Sequence, residues 1–97
     1  MKVTYIITTC NRHDLLERAV ASVVRERCAD SELIIVDDQS QPPVKMPELA
    51  RESFPQANHL IRNPVNAGVI GARNAGITAA SGKYLIFLDD DDESLPN

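Results

Sequence analysis

At 97 residues, with 43% apolar and 25% charged side chains, the chain has the size and composition of one globular domain. Its net charge is −4 and no Lys/Arg cluster stands out, which argues against a nucleic-acid face and against a polybasic membrane anchor. The longest apolar runs fall far short of the ~20 residues of a membrane span, no signal-peptide pattern opens the chain, and Cys10 and Cys28 lack metal-ligand spacing, so a reduced, cytoplasmic setting is expected.

Val3 to Thr9 is apolar and β-branched almost throughout, as in a strand buried on both faces. Residues 14–27 carry Leu15, Leu16, Ala19, Val20, Val23 and Val24 at helical spacing, with Asn11 or Asp14 placed to cap the start. Glu32 to Val36 reads as a second buried strand ending at Asp37-Asp38. Gln39 to Val44 has two prolines and no periodicity, so it reads as a loop. Pro47 to Phe54 suits a short helix with Pro47 in its first turn. His59 to Arg62 suits a third strand. A helix is expected within Val65 to Ala80, ended by Ser81-Gly82 with glycine at the C′ position. Lys83 to Leu88 reads as the last strand, and Asp89-Asp90-Asp91-Asp92-Glu93 follows at once.

The order β-α-β-(α)-β-α-β places the chain in the α/β class, with a mostly parallel sheet flanked by helices on both faces. In such sheets ligands bind outside the carboxyl ends of the strands. Thr8 to Asn11, Asp37-Asp38 and Asp89 to Asp92 are therefore expected on one rim, although far apart in sequence.

Three features carry chemistry. Carboxylates ~4 Å apart repel by about 4 kcal/mol at an effective dielectric of 20, so the acidic run favours a bound cation. Its oxygen-only ligands suit Mg²⁺ or Mn²⁺, with Ca²⁺ a third choice. The competing reading is a solvated acidic turn that guards the apolar strand before it. Asp37-Asp38 suits hydrogen bonds from a base or ribose, or capping of N–H groups in the loop that follows. Gly68, Gly71 and Gly76 each cost about 0.8–1 kcal/mol inside a helix relative to Ala. They imply close approach to the backbone, or a turn before the helix. Arg73 among them presents a planar fork to a phosphate or base, or is an exposed arginine on a tightly packed helix. The glycine spacing excludes a dinucleotide fingerprint, a P-loop and an EF-hand loop. His13 and His59 are isolated and read as surface residues.

Taken in order, Ile6-Ile-Thr-Thr-Cys-Asn-Arg12, Glu32-Leu-Ile-Ile-Val-Asp-Asp-Gln-Ser40, Asn66-x-Gly68, Ala72-Arg-Asn-Ala-Gly76 and Gly82-Lys-Tyr-Leu-Ile-Phe-Leu-Asp-Asp-Asp-Asp92 resemble the N-terminal half of family 2 glycosyltransferases of the GT-A fold. The resemblance runs from Val3 to Asn97. It implies a Rossmann-like half-domain, truncated, that binds a nucleotide-diphosphate sugar, usually UDP-linked, for inverting transfer to an acceptor hydroxyl. It implies that Thr8, Thr9 and Asn11 lie against the nucleoside. Asp38 would accept the imide N–H of uracil, and Asn66 and Arg73 would flank the base or diphosphate. Asp89-x-Asp91 matches the D-x-D motif. Asp91 would bind Mn²⁺ or Mg²⁺, and Asp89 or Asp90 would contact the ribose or the metal. Such an ion acts as a Lewis acid on the departing diphosphate.

Two positions depart from the family pattern. Cys10 stands where tyrosine is common, and Thr8 replaces a common proline. Family members continue past the D-x-D motif into an acceptor-binding half that supplies the general base. The resemblance therefore assigns no catalytic base within residues 1–97, and this segment alone is expected to be inactive. The acceptor, a glycan or a lipid-linked hydroxyl, and any membrane association belong to the parent protein. An α/β half without its partner exposes a strand edge and apolar surface, which predicts a two-fold dimer. Two rivals remain: a non-catalytic nucleotide- or metal-binding module, and a receiver- or phosphatase-like phosphoryl-transfer domain. In the latter two families the aspartates come early in the domain, whereas here they follow the second strand and end the chain.

Overall fold

Every residue of strands β1 (Val3–Thr9) and β2 (Ser31–Asp37) is buried. That is the condition of central strands covered on both faces. The computed structural model describes residues 2–63 and 68–89. Along the chain, β1 is followed by α1 (His13–Glu26), β2, α2 (Glu48–Ser53), β3 (Asn58–Arg62), α3 (Gly68–Ala79) and β4 (Tyr84–Asp89). The four strands form one sheet in the order β3-β2-β1-β4, and every neighbouring pair is parallel. The chain adds β2 and β3 on one side of β1, then crosses back to place β4 on the other. The β1/β4 boundary is thus the topological switch point, where such sheets bind ligands.

The helices divide between the two faces, as the sequence pattern predicts. Leu16, Ala19, Val20 and Val23 of α1 pack with Ala50 and Phe54 on Tyr5, Ile7, Leu33 and Ile35. On the opposite face Ala72 of α3 packs on Ile6, Ile34 and Val36. Close approach here depends on Gly76, where an added Cβ would lie 2.5 Å from Ile6 Cγ2. That glycine therefore serves helix–sheet packing, the tight-packing alternative foreseen for the glycine segment. Gly68 opens α3 at φ +71, a conformation that favours glycine.

Two expected caps take a different form. Arg12, not Asn11 or Asp14, occupies the N-cap position of α1, and no side chain caps it. Asn11 spends its side-chain oxygen on the neighbouring loop instead, where it accepts from Gln41 N–H at 2.7 Å. Gly82 is not a left-handed C′ residue, since Gly68 is the positive-φ glycine among the described residues. Its reason is proximity: a Cβ there would sit 2.5 Å from Thr4 Oγ1 and 2.6 Å from Thr4 N.

The amino-terminal ends of the strands hold a buried carboxylate. Glu32 Oε2 accepts from Thr4 Oγ1 at 2.7 Å, from Ser81 N at 2.7 Å and from Ser81 Oγ at 2.7 Å. Thr4 Oγ1 accepts in turn from Gly82 N–H at 2.8 Å. Glu32 thereby ties the α3–β4 turn to the two central strands. At the edges, β4 leaves Tyr84, Leu85, Ile86 and Phe87 exposed, and β3 leaves Leu60 exposed. Among the described residues no helix is long and apolar enough to cross a membrane.

Candidate functional site at the carboxyl rim of the sheet

Parallel pairing in register brings the carboxyl ends of the central strands level. Thr8 stands opposite Val36 and Asp89, and Thr9 stands opposite Asp37. Asp38 N–H donates to Thr9 O at 2.9 Å, so the β1 and β2 ends stay paired into the loops. The predicted convergence holds for Thr8, Thr9, Asn11, Asp37, Asp38 and the backbone of Asp89. Asn66, Asp90 and Asp91 lie outside the described residues.

The two aspartates that end β2 have different surroundings. Side chains alternate along a strand, so neighbours face opposite sides. Asp37 faces inward beneath its own loop. Its Oδ1 accepts from Ser40 N–H at 3.0 Å, and its Oδ2 accepts from Val44 N–H at 3.2 Å and from Arg62 Nη1 at 2.8 Å. Arg62 is its register partner on β3 and also donates to Ser40 O at 3.0 Å. Burial opposes ionisation of Asp37, but the hydrogen bonds from Ser40 and Val44 and the Arg62 charge outweigh it and hold the carboxyl below its usual range. Loop capping, one of the two readings of this pair, is thus the role of Asp37.

Asp38 turns toward α3. Its Oδ1 accepts from Asn63 Nδ2 at 3.0 Å, and its Oδ2 accepts from Gly68 N–H at 2.9 Å, at the amino terminus of that helix. A helix amino terminus favours negative charge.

The loop after β1 is stapled to the loop after β2. Asn11 lies at φ 57, a left-handed conformation that asparagine tolerates better than most residues. From there its N–H donates to Ser40 Oγ at 2.8 Å, while its side chain accepts from Gln41. His13 Nε2 meets Pro42 O at 2.9 Å. Asn11 therefore shapes the rim by holding Gln41 in place. On the α3 side, the Arg73 guanidinium carbon lies 5.7 Å from the ring centroid of Phe87, a cation–π contact with β4.

Sequence reasoning passed over Ser40, Arg62 and Asn63. Arg62-Asn63 follows the β3 apolar run directly, and a parallel β3 next to β2 would have put both residues beside Asp37-Asp38. Among the described residues no group of three or more His, Cys, Asp or Glu side chains is arranged to hold a metal.

The sequence model described as "Glycosyl transferase family 2" matches residues 4–97. The chain belongs to glycosyl transferase family 2. Among curated proteins, it is 35% identical over 95 residues to the putative colanic acid biosynthesis glycosyl transferase WcaA of Escherichia coli, covering 98% of this chain and 34% of that protein. It is 34% identical to the GalNAc(5)-diNAcBac-PP-undecaprenol beta-1,3-glucosyltransferase of Campylobacter jejuni, covering 97% of this chain and 31% of that one. The chain thus spans about a third of the length of these relatives. Among solved structures, S. aureus TarS 1-349 in complex with UDP-GlcNAc superposes with a TM-score of 0.79 at 24% identity, over 96% of this chain and 27% of that chain. The mannosyltransferase PcManGT of Pyrobaculum calidifontis, in complex with GDP-Man and Mn²⁺, superposes with a TM-score of 0.71 at 21% identity, over 93% and 27%. At these identities the likeness shows the fold: this family 2 chain has the α/β sheet of the GT-A glycosyltransferases.

Proposed function

We propose that residues 1–97 form the donor-binding part of an inverting glycosyltransferase that transfers a sugar from a nucleoside diphosphate, UDP in the first instance, to an acceptor hydroxyl with the help of a divalent ion. The observation that carries this reading is the meeting of three strand ends at the switch point. There Thr8 stands opposite Asp89, and Asp38 is tied to Thr9.

Thr8 and Thr9 line the nucleoside, and Asn11 contributes through the loop it holds. Asp38 accepts the imide N–H of uracil. Donors from Asn63 and Gly68 orient its two carboxylate oxygens. Asn66 and Arg73 flank the base and diphosphate, with Arg73 held on the α3 side through Phe87. Asp91 and Asp89 hold Mn²⁺ or Mg²⁺, and Asp90 or Asp89 meets the ribose. These are all-oxygen ligands, and Asp37 and Asp38, the other rim carboxylates, are engaged by protein donors. When bound, the ion stabilises the negative charge that develops on the departing diphosphate. The protein's own contribution is to orient the base and to hold the diphosphate against α3. The general base is assigned to the acceptor-binding part of the parent protein. A UDP-GlcNAc complex of TarS and a GDP-Man, Mn²⁺ complex of PcManGT support the donor class and the ion. Those two donors differ in their base, so the preference for UDP rests on Asp38.

Calorimetric titration of UDP into the chain, with and without Mn²⁺ and with GDP as control, tests the proposal. UDP binding that needs the ion and weakens in Asp91→Asn is the expected outcome. No binding of either nucleotide, here and in a chain that includes the acceptor half, overturns it.

A further inference from the structure

Asn63 is the first residue past β3, and it is buried. Three of its polar groups meet three consecutive residues at the end of β2. Its backbone N–H donates to Asp37 O at 3.0 Å. Its side-chain Nδ2 donates to Asp38 Oδ1 at 3.0 Å. Its backbone oxygen accepts from the Gln39 side-chain amide. Gln39 stands at φ 67, a left-handed conformation that a glutamine rarely adopts without external support. Asn63 therefore holds the segment in which Asp38 sits as well as the carboxylate itself.

The carboxylate of Asp38 is gripped from two directions, one oxygen by Asn63 beyond β3 and the other by Gly68 at the start of α3. Two donors on different oxygens fix the carboxyl plane. Asp37, its neighbour, is paired with the cationic Arg62.

We propose that Asn63 is a positioning residue that sets the plane of the Asp38 carboxylate and thereby the preference of the site for uracil; the inference rests on the donor reading above. It assigns base selectivity to a side chain that does not touch the base. The loss of Asn63 removes the geometry of readout and leaves the carboxylate present. Aspartate at the same place would set two carboxylates about 3 Å apart, beside Asp37 and Arg62. Like charges that close share a proton, so recognition by Asp38 would then depend on pH.

The test compares UDP with N3-methyl-UDP, which lacks the imide proton, by calorimetry in Mn²⁺ on the wild-type chain, Asn63→Ala and Asn63→Asp. Thermal midpoints are recorded alongside. The wild type is expected to prefer UDP by at least about tenfold, because a site built to receive a hydrogen bond rejects the analogue that cannot make it. In Asn63→Ala that preference falls to within about threefold while the variant remains folded. Between about pH 5 and about pH 8, UDP affinity of Asn63→Asp changes by about tenfold more than that of the wild type, whose own change carries the titration of the nucleotide phosphate. Wild-type discrimination that survives in a folded Asn63→Ala overturns this inference and leaves the donor reading standing. If Asn63→Ala does not fold, an Asn63→Asp that has the wild type's pH dependence and retains discrimination overturns it equally. A wild type that binds neither nucleotide, or both alike, overturns the reading of Asp38 and this inference with it.

Discussion

Replacement of Glu32 by leucine removes the acceptor that joins β1, β2 and the turn before β4. Three hydrogen bonds of 2.7 Å end on one oxygen of that carboxylate. They are not worth the same. Thr4 is fully buried and its hydroxyl also receives Gly82 N–H, so it cannot turn to another acceptor. A buried donor stranded in this way costs about 1–3 kcal/mol. Ser81 is exposed, and its N–H and hydroxyl exchange the carboxylate for water at about 0.5 kcal/mol each. Removal of a buried charge returns part of this, so Glu32→Leu is expected to lose about 2–3 kcal/mol at neutral pH. In a domain of this size that lowers the thermal midpoint by about 10–20 °C. Glu32→Gln keeps one acceptor oxygen, and its expected loss is about 1 kcal/mol. The sign of the pH effect is set by the carboxyl itself. Burial opposes its ionisation, but the hydrogen bonds from Thr4 and Ser81 and the nearby His59 outweigh it and hold its pKa below the usual range. Its stabilisation is therefore complete above the unfolded value of about 4.3 and is lost as pH falls through the lower folded value. Urea unfolding followed by circular dichroism should show the gap between wild type and Glu32→Gln closing below about pH 4. A Glu32→Leu chain within about 0.5 kcal/mol of wild type at neutral pH, or a gap that widens on acidification, refutes the reasoning.

Gly82→Ala places a methyl 2.6 Å from Thr4 N and 2.8 Å from Val3 C. Backbone atoms of a central strand cannot give way, so a loss of at least about 3 kcal/mol is expected in the urea midpoint, and a loss below about 1 kcal/mol removes the argument. The exposed β4 edge with Tyr84 and Ile86 predicts a two-fold dimer of this chain. Light scattering checks this, with Ile86→Lys expected to yield a monomer, and a wild type that is monomeric at every concentration contradicts it.

The strands and α1 were legible because burial on both faces writes continuous apolar runs into β1 and β2, and a single stripe into α1. The rim was legible because a parallel sheet must gather its strand ends, whatever lies between them in sequence. Contacts between elements were not legible. Gly76 and Gly82 look alike as helix-region glycines, but each is required by one atom group of β1, Ile6 in the first case and Thr4 in the second. Glu32 reads as the polar start of a strand until the α3–β4 turn arrives beside it. Asn63 has no local pattern at all, and its meaning depends on β3 pairing with β2. The split between Asp37 and Asp38 follows from strand alternation, yet the faces cannot be told apart before the helices are placed. Asn66, Asp90 and Asp91 lie outside the described residues and remain proposals.

Asp37 and Asp38 are adjacent, and their contrast argues for a division of labour. Asp37 is met by an arginine and two loop N–H groups, so its charge is consumed in closing the turn. Asp38 is met by an asparagine amide on one oxygen and a helix-terminal N–H on the other, which orient its carboxylate. Donors on both oxygens hold that carboxylate in a set plane, the form that a hydrogen-bonded readout needs. In the donor reading, a uracil imide at the switch point is a further donor to this carboxylate. If so, UDP should raise the thermal midpoint of the wild type more than that of Asp38→Asn, while Asp37→Asn, which weakens the loop, lowers the midpoint with or without nucleotide. Equal stabilisation of wild type and Asp38→Asn by UDP would show that Asp38, like its neighbour, belongs to the scaffold.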